Sequence, residues 1–312
     1  MASFSSDVMM ADFVDQFKIQ YTSPHDVYSI LQQYIVPMDE LIQWSYPVPH
    51  TDFKMGLYSC VRCNKRLERD QNGYLMLNGK CQFHPGTFNT TVKGGKEIFD
   101  CCFQPVPCVE SYGHVASEED YRGLKFESFH RAKAKASDGT YRTPRFFSMD
   151  TERVTVQGEG RRGQRPFELV LVDGMTLEKE LDTPVGRDPR TQVIDYCTRF
   201  HTYDQEEVDA MQEKGMPYHR LLNVLTKSDL LKQNDILIGH DLVGDLKSLK
   251  MFHFNIIDTS LLFREKYGRK LSLSQLVKEE LGLEFKAHVA ENDAYASLFL
   301  VIDLLKKEHG VE

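Results

Sequence analysis

The chain has 312 residues, of which 41% are hydrophobic and 27% charged, and its formal net charge is −8 at pH 7. This length favours two domains, and the composition is that of an ordinary globular protein. The acidic balance argues against a general nucleic-acid coat, because phosphate binding draws most of its affinity from Lys and Arg.

Hydropathy and local charge narrow the class further. No stretch approaches the twenty apolar residues that span a bilayer, and the first residues carry acids where a signal peptide needs a basic start. We therefore expect a soluble intracellular protein with no membrane contact. Residues 122–165 hold eleven Lys and Arg against five acids, so this basic segment can still bind along a phosphate backbone.

The first fifty residues form a predicted helical leader. Residues 7–44 are amphipathic, with Val27, Ile30, Leu31 and Tyr34 at i, i+3, i+4 and i+7, and prolines follow in SYPVPH. We predict that the leader, residues 1–50, serves in packing.

Residues 51–116 have the composition of a metal-binding module. Six of the seven cysteines lie here with two histidines, which favours metal over disulfides. The candidate ligands are Cys60, Cys63, Cys81, His84, Cys101, Cys102, Cys108 and His114. Zinc prefers such tetrahedral sulfur and nitrogen sites.

The number of zinc ions is harder to predict from the sequence than the ligands are. Eight ligands suffice for two Cys3His centres, and the adjacent Cys101 and Cys102 are expected to be strained on a single tetrahedral ion, which favours two zincs. One zinc with the remaining cysteines buried is the alternative, and spacing alone does not divide the ligands between centres.

The rest of the chain is predicted as a basic linker, residues 117–144, and an α/β domain, residues 145–312. Three successive strands are predicted, separated by the loop QGEGRRGQR and by a turn at Asp173-Gly174; their sequences are RFFSMDTE, FELVLVD and MTLEKELDT. After a helical zone over 205–233, strand and helix alternate through DILIGH, DLVGDLKSLKMF, FNIID, LSLSQLVKEELGL and a last helix that ends at Gly310. This order predicts a mixed sheet flanked by helices.

Acidic residues recur at the ends of these elements. Asp150 and Glu152 stand at i and i+2 in a strand and so leave the same face, Asp245 follows the DILIGH strand, and His288 and Asp293 lie at the start of the last helix. Each residue alone is also typical of a surface charge or a helix cap. Together, four carboxylates and an imidazole suit two-metal phosphodiester hydrolysis, with Mg²⁺ held by oxygen ligands and the histidine as the general base.

These residues stand in motifs of a known group. The stretches FSMDTE, DILIGHDLVGDLKSL, NIIDTSLLF and HVAENDAYASLFL resemble, in order and spacing, the motifs of the DEDDh 3′–5′ exonucleases, specifically the RNA exonuclease 1 (GOR-like) branch. The resemblance covers most of residues 34–307 and includes VIDYCTRFHTYDQEEVD and the Cys/His segment. It implies a ribonuclease-H-like fold and two Mg²⁺ or Mn²⁺ ions on Asp150, Glu152, Asp245 and Asp293. It also implies release of nucleoside 5′-monophosphates from single-stranded RNA 3′ ends, with His288 as the base.

Two positions depart from the family pattern. Arg153 stands where members commonly carry Met after the motif Glu, a position that lines the 3′-nucleotide pocket in this group, and Gly244 stands near a frequent Asn. Asp258 also matches the family pattern, and we interpret it as structural, capping the helix that follows Thr259.

The Cys/His segment also resembles the CHORD zinc fold, whose modules bind proteins, so a protein partner is an alternative to RNA guidance there. A non-catalytic adaptor and a DNA exonuclease are the other two functional hypotheses. The five intact site residues favour an enzyme in RNA processing or decay, and the resemblance places it in the nucleus before the cytoplasm.

Overall fold

The structure is a computed structural model, and it divides the chain into two compact units. The larger contains residues 1–49, 129–156 and 164–312, and the smaller contains residues 50–128 and 157–163. The residues described are 9–20, 22–48, 58–60, 62–63, 65–68, 76, 78–84, 88–89, 98–99, 101–102, 104, 106–114, 130–158, 161–189, 191–285 and 288–311. The predicted division into a leader, a metal-binding module, a linker and an α/β domain stays a prediction. Residues 117–129 of the linker lie outside the described residues.

The leader belongs to the larger unit. It contains α1 (Val14–Phe17), α2 (Pro24–Leu31) and α3 (Met38–Gln43), with 3-10 turns at Met10–Phe13 and Gln32–Tyr34. The backbone N–H of Asp26 donates to Ser23 Oγ, and Pro24 is the first residue of α2, so both features fix where that helix starts. Phe17 stacks on Phe299 with ring centroids 4.2 Å apart, and the predicted packing role of the leader is confirmed.

The smaller unit consists of short strands. These are β1 (Tyr58–Ser59), β2 (Arg66–Leu67), β3 (Lys80–Phe83), β4 (Phe88–Asn89), β5 (Ile98–Phe99) and β6 (Val109–Tyr112). They pair antiparallel as β1 with β2, β3 with β6 and β4 with β5. Within its described part, the buried apolar cluster is Cys60, Leu67 and Cys81, which is too little burial to stabilise a fold without further crosslinks.

A mixed sheet forms the centre of the larger unit. The strands of this unit are β7 (His130–Arg131), β8 (Phe146–Gly158), β9 (Arg161–Asp173), β10 (Lys179–Gly186), β11 (Gln192–Asp195), β12 (Met216–Pro217), β13 (Ile236–Gly239), β14 (Met251–Phe252) and β15 (Ile256–Asp258). Strands β7 and β14 form a separate parallel pair, and the others form the mixed sheet. The strand order is β12-β10-β9-β8-β13-β15, and β11 pairs with β8. Strand β13 is parallel to both β8 and β15, whereas β10 is antiparallel to β9. The predicted mixed sheet is confirmed.

Helices cover both faces of this sheet. They are α4 (Gln205–Lys214), α5 (Tyr218–Lys227), α6 (Val243–Ser248), α7 (Thr259–Leu262), α8 (Arg264–Tyr267), α9 (Leu273–Leu281) and α10 (Ala290–His309). Alternate strand residues supply two cores: Phe146 and Ile238 pack in the cluster that includes α9 and α10, and Phe147 and Leu237 pack in the cluster that includes α5 and α6. Helix α10 is capped at its C-terminus by Gly310, whose φ of 63° suits a glycine.

Three boundaries differ from the sequence-based expectation. The loop predicted at QGEGRRGQR is shorter, because β8 continues to Gly158 and β9 begins at Arg161. The helix predicted through Phe252 ends at Ser248, because the buried Met251 and Phe252 instead pair with β7. Residues 130–144 belong to the larger unit, where the Lys133 N–H donates to the Thr226 carbonyl.

Among the described residues, no helix has both the length and the apolar character needed to cross a bilayer.

Candidate active site and metal centres

Strand β8 brings three carboxylates together at the start of α10. Asp150 and Glu152 share the strand face of Ser148, whose hydroxyl donates to the Ala294 carbonyl at 2.7 Å. That contact places the first turn of α10 beside the strand, and carboxylate oxygens of Asp150, Glu152 and Asp293 all lie within 4.8 Å of one another. We call these three residues the carboxylate triad.

Burial and mutual repulsion govern the charge of the triad. Burial, with Asp245 and the other two triad carboxylates as secondary causes, raises the pKa of Asp150 well above its ordinary value. Burial, then Asp293, raises the pKa of Glu152 to about 9. Burial raises the pKa of Asp293 to about 7, partly opposed by a hydrogen bond from the His288 backbone. A buried oxygen-only cluster that repels itself is well suited to a divalent cation such as Mg²⁺ or Mn²⁺.

His288 is placed beside the triad by an unusual backbone. Its φ is 66°, in the left-handed region that non-glycine residues rarely adopt. In this conformation its N–H donates to both carboxylate oxygens of Asp293, at 3.3 and 3.2 Å. Its exposed side chain lines the same cleft as the triad.

Asp245 has different neighbours. Its side chain is only 2% exposed; Thr151 Oγ1 donates to its Oδ1 at 2.6 Å, and Arg153 Nη1 lies 3.7 Å from the same oxygen. Thr151 and Arg153 alternate with Asp150 and Glu152 along β8 and contact Asp245 on α6, and both also line the cleft that contains the triad. Burial raises the pKa of Asp245, against the charge of Arg153 and the Thr151 hydrogen bond. The structure therefore groups three of the four predicted acidic ligands and holds the fourth against Arg153.

The two departures from the family pattern touch each other. A Cβ added at Gly244 would lie 1.7 Å from Arg153 Nη1. The guanidinium of Arg153 therefore fills the space that any side chain at residue 244 would need. This pairing could not be predicted from the sequence, because the two residues are ninety-one positions apart on different elements.

The cleft beside the triad has a volume of about 410 Å³. Besides the triad and His288, it is lined by Thr151, Arg153, Gln164, Cys197, Phe200, His201, His240, Ser272, Leu273 and Ser274. Phe200 is 57% exposed, and the Arg199 guanidinium lies 4.6 Å from its ring centroid. Both residues belong to VIDYCTRFHTYDQEEVD, a stretch that resembles the family. Neither residue was predicted to belong to the site. An exposed aromatic ring beside an acidic metal site can stack on a base.

Asp258 is structural, as predicted. Its carboxylate caps α7 by accepting from the Ser260 N–H at 2.8 Å, and it accepts from the Asp241 N–H at 3.0 Å. The Tyr46 hydroxyl donates to its other oxygen. Through these contacts Asp258 fixes the end of β15 and the turn that precedes α6.

In the smaller unit, the eight candidate zinc ligands fall into two groups. One contains Cys60, Cys63, Cys81 and His114, and the other contains His84, Cys101, Cys102 and Cys108. The Sγ atoms of Cys60 and Cys81 are 3.7 Å apart, and those of Cys101 and Cys108 are 3.6 Å apart. Zinc–sulfur bonds of about 2.3 Å imply a tetrahedral edge of about 3.8 Å, so the spacing of these sulfurs fits two Cys3His centres.

One sequence-based expectation about these ligands is wrong. Cys101 and Cys102 were expected to be strained on one ion, yet both lie in the same group, with Sγ atoms 3.5 and 3.3 Å from His84 Nδ1. The two residues form a turn, and the bend in the backbone lets consecutive side chains approach one point, which an extended strand would prevent.

Comparisons with known proteins agree with the motif resemblance. No protein-family model matches the chain. The chain is 24% identical to RNA exonuclease 3 of Candida glabrata, over 93% of this chain and 71% of that protein. It is 26% identical to RNA exonuclease 1 homolog of Homo sapiens and to exonuclease GOR of Pan troglodytes, in each case over 88% of this chain. It spans only 23% and 41% of the length of those two proteins.

Among solved structures, the catalytic unit of Neurospora crassa Pan2 is 17% identical, with a TM-score of 0.44 over 69% of this chain and 39% of that one. The Saccharomyces cerevisiae Pan2 module in complex with AAUUAA RNA is 19% identical, with a TM-score of 0.43 over 69% of this chain and 41% of that one. Both TM-scores are too low for the likeness to carry weight.

Proposed function

Because this chain belongs to the DEDDh exonucleases, in the RNA exonuclease 1 and GOR branch, we propose that it is a metal-dependent 3′–5′ exoribonuclease. The observation that carries the proposal is the convergence of Asp150, Glu152 and Asp293 within 4.8 Å, beside a cleft that also exposes His288. Its substrate would be a single-stranded RNA 3′ end, and its product a nucleoside 5′-monophosphate.

In this proposal the triad holds Mg²⁺ or Mn²⁺. When bound, such a cation would neutralise charge on the scissile phosphate and would lower the pKa of the attacking water, so that this water loses its proton more readily. The protein contributes a partly buried carboxylate cluster, with Glu152 buried and Asp150 and Asp293 half-buried, and a hydrogen bond from the His288 N–H that orients Asp293. The His288 imidazole accepts the proton of the attacking water, since imidazole takes up protons near neutral pH. The two-metal form of the mechanism, expected from the sequence, would require Asp245 to hold a second cation.

The smaller unit is proposed to bind two structural zinc ions, one in each Cys3His group. Zinc would supply the stability that the small apolar cluster does not. The unit would then serve as a rigid module for RNA or for a protein partner. A role in RNA 3′-end processing or decay, in the nucleus before the cytoplasm, stays a prediction.

The test uses one RNA oligomer with either a 5′ or a 3′ label, incubated with the full chain and Mg²⁺. We expect the 5′-labelled RNA to shorten stepwise and the 3′-labelled RNA to release a labelled mononucleotide at once. Asp150→Ala and Glu152→Gln should abolish both signals, while Glu213→Gln, an exposed acid on α4, should keep them. An internal cleavage pattern, or equal activity in Asp150→Ala, would contradict the proposal. A DNA oligomer of the same sequence tests the choice of sugar.

A further inference from the structure

Arg153 places a permanent positive charge beside Asp245, the predicted metal ligand that lies outside the triad. Its Nη1 is 3.7 Å from Asp245 Oδ1, and its side chain is 28% exposed. A guanidinium stays protonated under all physiological conditions. The charge at this point therefore does not depend on pH or on the concentration of a metal ion.

The buried carboxylate of Asp245 needs such a charge. An isolated ionised carboxylate in the interior is costly unless a cation or several hydrogen-bond donors compensate it. Here the Oδ1 atom has both kinds of compensation, the Thr151 hydroxyl at 2.6 Å and the Arg153 guanidinium. The charge on this carboxylate is thus partly compensated before any metal ion arrives.

A divalent cation at Asp245 would have to share this position with Arg153. Two positive charges on one carboxylate repel each other strongly at short range. The guanidinium is also held in place by shape, because it lies in the space left by the missing side chain of Gly244. The charge of Arg153 on β8 and the missing side chain of Gly244 on α6 therefore both favour the arginine over a metal ion at Asp245.

We propose that the Arg153 guanidinium takes the place of the second divalent cation at Asp245, so that the site binds one cation, at the carboxylate triad. This inference rests on the proposed exonuclease function and replaces its two-metal form with a one-metal form. Arg153 also lines the cleft in which the phosphodiester would bind. It would donate to a phosphate oxygen where a second metal ion would otherwise coordinate it.

The number of bound cations tests the proposal directly. Mn²⁺ binding to the zinc-loaded full chain is counted by calorimetry and by electron paramagnetic resonance, without substrate. We expect about one Mn²⁺ per chain for the wild type and about two for Arg153→Met, which frees the second position. Arg153→Lys should stay at about one because it keeps the charge, and so should Arg220→Met, an exposed arginine on α5.

Gly244→Ala gives a second route to the same result. Its new Cβ would displace the end of the Arg153 side chain, so this variant too should bind about two Mn²⁺ with the arginine still present. Two equivalent cations on the wild type would overturn the one-metal proposal, and so would a count that stays at one in both Arg153→Met and Gly244→Ala. A wild type that binds no Mn²⁺ would instead overturn the proposed metal-dependent function, and Asp150→Ala provides that baseline. Circular dichroism of each variant confirms that the count refers to folded protein.

Discussion

The contact between Arg153 and Asp245 predicts a measurable coupling in stability when no divalent cation is bound at the site. At 3.7 Å, two unit charges in an effective dielectric of about 20 interact by about 4 kcal/mol. Removing one partner of a buried pair costs about 3–5 kcal/mol, since the other charge is left uncompensated. Because 28% of the Arg153 side chain is in contact with solvent, we take the lower end, about 3 kcal/mol.

The assay is a double-mutant cycle in buffer without Mg²⁺ or Mn²⁺ that leaves zinc in place. The free energy of unfolding is measured by urea denaturation for the wild type, Arg153→Met, Asp245→Asn and the double variant. We expect Arg153→Met to lose about 3 kcal/mol, which for a unit of this size lowers Tm by about 6–12 °C. The double variant should recover about 2 kcal/mol of that loss, because it leaves no buried charge unpaired. A coupling energy below about 0.5 kcal/mol would show that the two charges do not stabilise each other.

Three further predictions concern the other parts of the site. His288→Ala should lower kcat by about 10²–10⁴-fold and leave Mn²⁺ affinity unchanged in calorimetry, whereas the exposed His219→Ala should do neither; a large loss of Mn²⁺ affinity would assign His288 to the metal instead. Burial raises the pKa of Asp293 to about 7 and of Glu152 to about 9. Near neutral pH the metal-free folded protein therefore binds more protons than the unfolded chain does. Its Tm should therefore fall as pH rises from 6 to 9, while the increase in Tm on adding Mg²⁺ should grow; a Mg²⁺ effect that does not change with pH would contradict this. Cys102→Ser should lose about one zinc per chain in a colorimetric assay and Cys197→Ser none, and an equal loss in both would refute the assignment of ligands.

Periodicity was enough to predict the parts of the site that depend on a single element. The i, i+2 spacing of Asp150 and Glu152 determines that both leave one face of β8, and the helix that begins near Asp293 is evident from its apolar pattern and its final glycine. The mixed sheet followed from the order of strands and helices. These features are local, so the sequence expresses them directly.

The surroundings of Asp245 could not be predicted in the same way. They depend on which helix covers the other face of β8, and on the close approach of Arg153 to a residue with no side chain. Neither fact is local. The strand at Met251–Phe252 was missed for a related reason, since two residues become a strand only when a distant segment supplies their hydrogen bonds. Adjacent cysteines were expected to be strained on one metal ion, but the turn at Cys101 and Cys102 brings both thiols into one group of ligands.

The leader limits which substitutions this protein can accept during evolution. The Met10 N–H donates to Asn292 Oδ1 at 2.9 Å, and Asn292 is the immediate neighbour of the triad residue Asp293. Phe17 covers Phe299 two turns further along the same helix. The leader thus supports the first turn of α10, which carries Asp293, a proposed metal ligand. Substitutions in residues 9–20 can therefore shift Asp293 relative to Asp150 and Glu152 without changing any residue of the triad.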